Sequence, residues 1–247
     1  MPEPSIFTSD TPLDPGLYSL DPAALEFFKQ QTGITEDDEL KQPHPCCSSK
    51  GFRVGNDARK VVADGWPATQ VISTDIKQEF WDLGHVLFRS TPTSFPSHFI
   101  SGNCLDPAFL SSEPGPTSQS LPDLSSLTSL NDLRGKLTVI HAASIFHLFS
   151  QEEQASLVRA VASLLSPAPG SIAFGSHVGL PKQGTIRAKV PSMGVEMYCY
   201  DPESWNKLWE DAGPFKTEAV LREVIDPNGE IGWMMVWSAT MSTKSSL

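Results

Sequence analysis

No run of about 18 apolar residues occurs in the chain, so no transmembrane helix is expected. Basic side chains are also scarce, 18 lysines and arginines against 29 aspartates and glutamates, for a formal net charge of -11. That balance argues against a nucleic-acid partner, which must be met by cations at its phosphates. It disfavours an anionic membrane surface for the same reason. Only four cysteines are present, without a framework spacing, which points to a reducing compartment, the cytoplasm. The first residues, MPEPSIFTSD, show no basic region ahead of an apolar core, so no signal peptide is expected. No Walker loop, nucleophile elbow or zinc-protease helix can be found, and GFRVGND does not have the dinucleotide glycine spacing. His44, Cys46 and Cys47 are the one metal-like group. Adjacent cysteines ligate one ion poorly and no second ligand pair has suitable spacing, so no metal is expected.

What the chain does contain is an alternation of short apolar runs and amphipathic stretches. Its clearest instance is LTVIHAASIFHLFSQEEQASLVRAVASLLSPAPGSIAFG, residues 137–175. LTVIHAA reads as a strand buried on both faces. Ser150 and Glu153 form a capping box, so a helix begins at Gln151. Leu157, Val158, Val161, Leu164 and Leu165 make its apolar stripe. Pro167 and Pro169-Gly170 end it, and SIAFG opens a second, parallel strand.

The same reading extends along the chain. Residues 1–20 form an irregular arm. Asp21-Pro22 starts a helix with Leu25, Phe27 and Phe28 on its apolar side, and Thr35 with Asp38 caps a second, EDDELKQ. In QPHPCCSSKGFRV only Phe52 to Val54 resemble a strand. Asn56 or Asp57 caps a helix that Gly65 closes. QVISTDI is a buried strand ending at Asp75, and QEFWDLGHVLFR a helix with Phe80, Leu83, Leu87 and Phe88 on one face. A third strand starts at His98 and ends at Asn103-Cys104. Residues 111–132 are a serine- and proline-rich loop, and residues 176–200 a long irregular segment of the kind that covers a ligand. Asp201-Pro202 starts a helix with Trp205, Leu208 and Trp209 inside, and a hairpin across DPNGE ends the pattern. This alternation predicts an α/β fold, a Rossmann-like, doubly wound, mostly parallel sheet with a C-terminal antiparallel hairpin.

Ligands of open α/β sheets sit outside the carboxyl ends of the strands. Asp75 stands there, suited to a ribose diol or to a helix cap. Asn103 could reach an adenine amino group or shape a turn. His141 and His147 lie at the same edge, as a general base, a substrate contact or hydrogen-bonded structural histidines.

Three strings, GNDARKVVADGWPATQVISTDIKQEFWDLGHVLFR, FISGNCLDPAFL and VIHAASIFHLFSQEEQASLVRAVASLL, resemble the class I S-adenosylmethionine-dependent methyltransferases of fungal secondary metabolism. Within that family the similarity points to the group acting on meroterpenoid and polyketide intermediates. It runs from about Gly55 to the final hairpin, and weakly over residues 18–42. The resemblance implies S-adenosyl-L-methionine as cofactor, a small-molecule substrate and a homodimer. It implies that Gly55, Asp75, Ile76, Asn103, Cys104 and His141 border the cofactor, with aspartate more usual where Asn103 stands. It implies that His141 to His147 border the cofactor and substrate cleft, and His147 is the candidate base or orienter. The domain pattern it implies is an N-terminal arm and helices over 1–45, and a methyltransferase-like domain over 46–247. In one respect the chain departs from the family pattern. Of the central strand and glycine loop, of the form LDLGCCFGND, only Gly55-Asn56-Asp57 is retained, so the first central strand is expected to be missing or degenerate. A glycine loop lets backbone N–H groups approach a cofactor closely, and its loss predicts weakened cofactor binding. The alternative expectation is therefore a fold relative without methyl transfer, a binding or scaffold protein, or an isomerase or cyclase.

Overall fold

The computed structural model describes residues 22–36, 55–113, 120–187, 196–225 and 231–242. The chain divides into two compact units, Met1–Gly102 and Asn103–Leu247.

The first unit contains α1 (Pro22–Thr32), α2 (Asn56–Ala63), β1 (Ile72–Asp75), α3 (Gln78–Leu87) and β2 (His98–Ser101). β1 and β2 pair in parallel, from Ile72 opposite His98 to Asp75 opposite Ser101. Trp81 organises the core. It packs with Ala58 and Phe95, stacks on Phe99 at 5.2 Å, and is flanked by Val62, Ala68 and Val71. Two expectations need correction. Neither Asn56 nor Asp57 caps α2; the cap position is Gly55, with no side-chain hydrogen bond. The inner face of α3 carries Trp81 and Gly84, continued by Phe88, rather than Phe80, Leu83 and Leu87. An indole buries more apolar area than a leucine, and Gly84 lets that face approach its neighbours. β1 is only partly buried, although its run of sequence reads as a buried strand.

The second unit contains β3 (Val139–His141), α4 (Gln151–Leu164), β4 (Ile172–Val178), β5 (Gly184–Arg187), β6 (Glu196–Cys199), α5 (Pro202–Ala212), β7 (Phe215–Ile225) and β8 (Ile231–Met241). Two 3-10 turns, Leu124–Ser126 and Leu130–Leu133, punctuate the serine-rich loop. β3, β4, β8 and β7 form one sheet in that order. β3 is parallel to β4, and β8 runs antiparallel to both β4 and β7. The capping box at Ser150 and Glu153 is present in full. All five predicted stripe residues of this helix and its end are buried, as are Trp205 and Trp209 on α5.

The second unit also corrects two expectations. Residues 176–200 are not irregular throughout, because β4 continues to Val178 and β5 pairs with β6 as an antiparallel ribbon. β3 is not covered on both faces. Val139 is 45% exposed, and among the described residues only β4 pairs with this strand. An edge strand keeps its apolar side chains from water less well than a central one.

Parallel strand pairs joined through helices, closed by an antiparallel hairpin, make this a Rossmann-like α/β fold. Among the described residues no strand precedes β1. The strand fragment expected at Phe52 to Val54, the His44, Cys46 and Cys47 group, most of EDDELKQ and the DPNGE turn lie outside the described residues. No described helix is long and apolar enough to cross a membrane.

Candidate functional site

In the first unit the polar end of β1 carries Asp75. Its carboxylate Oδ1 accepts the Lys77 N–H at 2.9 Å, closing a turn into α3, while its carbonyl accepts the Gly102 N–H at 3.0 Å. Asp75 therefore shapes the strand-to-helix turn, and its second carboxylate oxygen is free of that duty. Ile76, the next residue, is 61% exposed. An apolar side chain held in water beside a carboxylate offers a flat contact next to a hydrogen-bonding group. Gly55 sits at the start of α2 with φ 78, and a Cβ added there would meet the Trp81 ring at 2.8 Å. Its lack of a side chain is thus used twice, by the left-handed backbone and by the core tryptophan.

Arg59, on α2, was not singled out by sequence. It is 3% exposed, with its guanidinium between the rings of Phe88 and Phe95 at 4.4 and 4.3 Å. Its Nε and Nη2 make no hydrogen bond. Burial pulls its pKa down to about 10, so it stays charged at neutral pH, supported by the ring faces.

In the second unit Asn103 takes the turn role. Its Oδ1 accepts the Leu105 N–H at 3.0 Å and its carbonyl accepts the Asp106 N–H at 2.9 Å. Cys104 beside it is partly buried and forms no disulfide. His141 closes β3 on the exposed side and lies against the Phe174 ring at 4.9 Å. The backbone turns at once after β3. Ser144 adopts φ 54 and donates its N–H to the Ser176 carbonyl. Gly175 on β4 faces this turn so closely that a Cβ would lie 1.8 Å from the Ala142 oxygen. This contact seats the tip of β3 on β4 and delivers the 3-10 turn Phe146–Leu148 onto the core.

That turn brings His147 beside a second histidine, His177, with ring centroids 6.4 Å apart and 15° between planes. His177 is 1% exposed and enclosed by Phe146, Trp205 and Trp237 at 5.5, 4.4 and 6.3 Å. The Trp237 indole Nε1–H donates to its Nδ1 at 3.0 Å. An indole can only donate, so Nδ1 is the acceptor and the ring proton sits on Nε2. Nε2 has no hydrogen-bond partner. Burial first, and the neighbouring His147 second, push the His177 pKa down to about 3. The imidazole is therefore neutral, with one tautomer fixed, at any physiological pH. It cannot act as a base through Nδ1, and any proton traffic here falls to the half-buried His147.

Of the predicted residues, the structure places Gly55, Asp75 and Ile76 in the first unit and Asn103, Cys104, His141 and His147 in the second. The close pairing it reveals is His147 with His177, which the sequence reading put inside an irregular segment. A signal was available: Ala173, Gly175 and His177 alternate, and all three are buried. Extending the period-two pattern through SHV would have carried the strand to this histidine. Gln154 was missed as well. It is fully buried and its Nε2 donates to the carbonyls of Phe149 and Tyr198, tying α4 to β6.

No family profile matches the chain. Among curated proteins it is 32% identical over 179 residues to the O-methyltransferase phiE of Fungal sp. (strain ATCC 74256), covering 71% of this chain and 53% of that protein. It is 28% identical over 176 residues to the methyltransferase ausD of Aspergillus calidoustus, covering 71% and 55%. The O-methyltransferase atr3 of Stereocaulon alpinum is 29% identical over 168 residues, covering 68% and 41%. The chain thus spans about half the length of the curated relatives it matches. Among solved structures, the 1,6-didemethyltoxoflavin-N1-methyltransferase of Burkholderia thailandensis superposes with a TM-score of 0.51 at 11% identity, covering 94% of both chains. Its fold is that of this chain. Over the matched residues the chain is similar to fungal proteins named methyltransferases.

Proposed function

We propose that the chain carries the donor-binding fold of a methyltransferase. The reaction is transfer of a methyl group from S-adenosyl-L-methionine to an oxygen or carbon of a small secondary metabolite, a meroterpenoid or polyketide intermediate. On this reading the protein is cytoplasmic and acts as a homodimer. The observation that carries the proposal is sequence likeness to fungal methyltransferases on a Rossmann-like frame.

The residues at the strand ends suit the nucleoside half of the donor. Asp75 would accept the ribose hydroxyls through the oxygen not engaged with Lys77, and exposed Ile76 would lie against the adenine face. Asn103, its oxygen held by Leu105, keeps an amide N–H pair to donate to a ring nitrogen, with Cys104 beside it. Gly55 in the first unit and His141 in the second are the remaining donor contacts that the family resemblance implies. The bound donor supplies an electrophilic methyl on a sulfonium. The chain's own task is alignment, because holding donor and acceptor in line removes much of the barrier. His147, backed by the neutral His177, would orient the acceptor or take its proton.

A second reading is favoured by one observation. β1 and β2 make one sheet and β3, β4, β8 and β7 another, and no described strand joins them. A fold relative that has lost its donor, serving as a binding or scaffold protein or as an isomerase or cyclase, would look the same. Isothermal titration with S-adenosylmethionine, with mass spectrometry for co-purifying donor or its homocysteine product, separates the two. The first reading expects binding weaker than micromolar, because the glycine loop is reduced to Gly55, and expects Asp75→Ala to remove it. Complete absence of binding and of co-purified nucleoside would reject the first reading and favour the second.

A further inference from the structure

β7 is the outermost strand of its sheet. β8 pairs with one side of it from Phe215 to Ile225, and no described strand pairs with the other. Val220, Val224 and Ile225 along it are 54%, 42% and 73% exposed. A long unpaired edge with apolar side chains in water is a template for another strand. We propose that a second copy of this chain covers it, β7 against β7, antiparallel about a twofold axis that passes through Val220 perpendicular to the sheet.

The sequence of the strand carries this choice of partner. About that axis Glu218 opposes Arg222 and, by symmetry, Arg222 opposes Glu218. Val220 meets Val220, Ala219 meets Leu221, and Phe215 meets Ile225. Lys216 faces Val224 and Thr217 faces Glu223. No like charges oppose one another, and opposite-charge and apolar cross-strand pairs are the stabilising ones. Neighbouring registers lose this match. Centring on Ala219 sets Lys216 against Arg222, and centring on Leu221 sets Glu218 and Arg222 against valines. The charges are available for it. Arg222 has no ion pair among the described residues, and Glu218 meets only Lys216, at 3.3 Å with side chains 72% and 77% exposed, a contact worth little. Overlap of the whole strand supplies roughly ten backbone hydrogen bonds, about the number a stable interface carries. The contact is isologous and closed, so it ends at a dimer and not a fibre.

This inference gives the homodimer of the proposed function a surface, and it does not depend on methyl transfer. Sedimentation velocity on the full chain, over concentrations up to about 100 µM, tests it. A monomer–dimer equilibrium is expected. Glu218→Arg alone, which opposes two arginines, and Arg222→Glu alone, which opposes two glutamates, should each weaken the dimer about tenfold or more. The double variant E218R/R222E should restore it. All these positions are exposed, so the fold is not at stake, and far-ultraviolet circular dichroism checks that. A monomer at every concentration, or a dimer indifferent to both single variants, would overturn the proposal. Donor titration on the same samples is read separately, so loss of the dimer and loss of the methyl-donor reading are told apart.

Discussion

Each unit buries one basic side chain among aromatic rings, and the two solve the problem in opposite ways. In the first, Arg59 keeps its charge between Phe88 and Phe95 with two nitrogens unpaired. In the second, His177 gives up its charge, accepts one hydrogen bond from Trp237 and leaves a single N–H unmet. The difference is one of chemistry. A guanidinium cannot shed its proton near neutrality, whereas an imidazole does so once burial makes the cation costly. The cation must then be supported by ring faces, and the neutral ring by a fixed tautomer. The two units also differ in what lies behind their key glycines. Gly55 is backed by a side chain, the Trp81 ring, and Gly175 by the Ala142 backbone carbonyl.

That last contrast yields the largest expected effect. Gly175→Ala should cost at least about 4 kcal/mol, since the Ala142 carbonyl belongs to backbone tied to β4 through the Ala142 N–H and cannot swing aside as a side chain can. Gly55→Ala should cost only about 1–2 kcal/mol, from its positive φ and a ring that can shift. Urea unfolding of both variants checks this, and equal losses would remove the distinction.

The next effect is a pH dependence that belongs to His177. Burial holds its folded pKa at about 3, below the ordinary histidine value of 6.5. As pH falls below 6.5 the unfolded chain takes up a proton that the native state refuses until about 3. Stability contributed by this group is thus complete above 6.5 and declines across that window. His177→Phe should flatten this part of the acid limb by about 2–4 kcal/mol relative to the unaltered chain, as measured by thermal unfolding between the two values. Glu153 and Asp201, whose pKa values are lowered by hydrogen bonds from Ser150 and Ser204 that outweigh burial, lose their contributions at lower pH in both proteins and cancel in the comparison. Arg59 does not titrate in that window. The first unit's counterpart is His85, whose pKa burial and then the neighbouring Arg59 lower against the opposing pull of Asp82, and its contribution is the same in both proteins and cancels in the comparison.

The smallest effect concerns Arg59 itself. Arg59→Met keeps the packing between the two rings and removes an unpaired charge, so it should stabilise the chain by about 1–2 kcal/mol. Destabilisation of that size in chemical unfolding would mean that the rings fully support the cation.

Legibility in the sequence followed the range of the interaction involved. The capping box of α4, the proline start of α5 and the hydrophobic stripe of α4 could be read directly, because each depends on residues within a few positions of one another. The Rossmann-like alternation was equally plain. Asp75 was correctly set at a strand end, but its hydrogen bond to Lys77 is a detail of turn geometry that residue types do not carry. Asn103 was named for a ligand and for a turn, and the structure shows the turn contact. The inner face of α3 was misplaced because Phe80, Leu83 and Leu87 have the helical spacing too, and only the neighbouring elements choose between the two stripes. His177 was passed over because Ser176 and His177 itself interrupt the apolar run and hide a strand that continues to Val178.

By itself the sequence determined the capped starts of α4 and α5, the alternation of strands and helices, and the acidic, cysteine-poor character of the whole. These follow from local hydrogen bonding, steric limits and composition. Only the tertiary structure decided that His177 is neutral and fixed in one tautomer, that Arg59 lies between two rings, and that β3 and β7 stand at the edges of their sheet. His177 and Trp237 are 60 positions apart. A contact of that separation exists only once β4 and β8 have paired, and no local pattern of residues can announce which side chains the pairing will bring together.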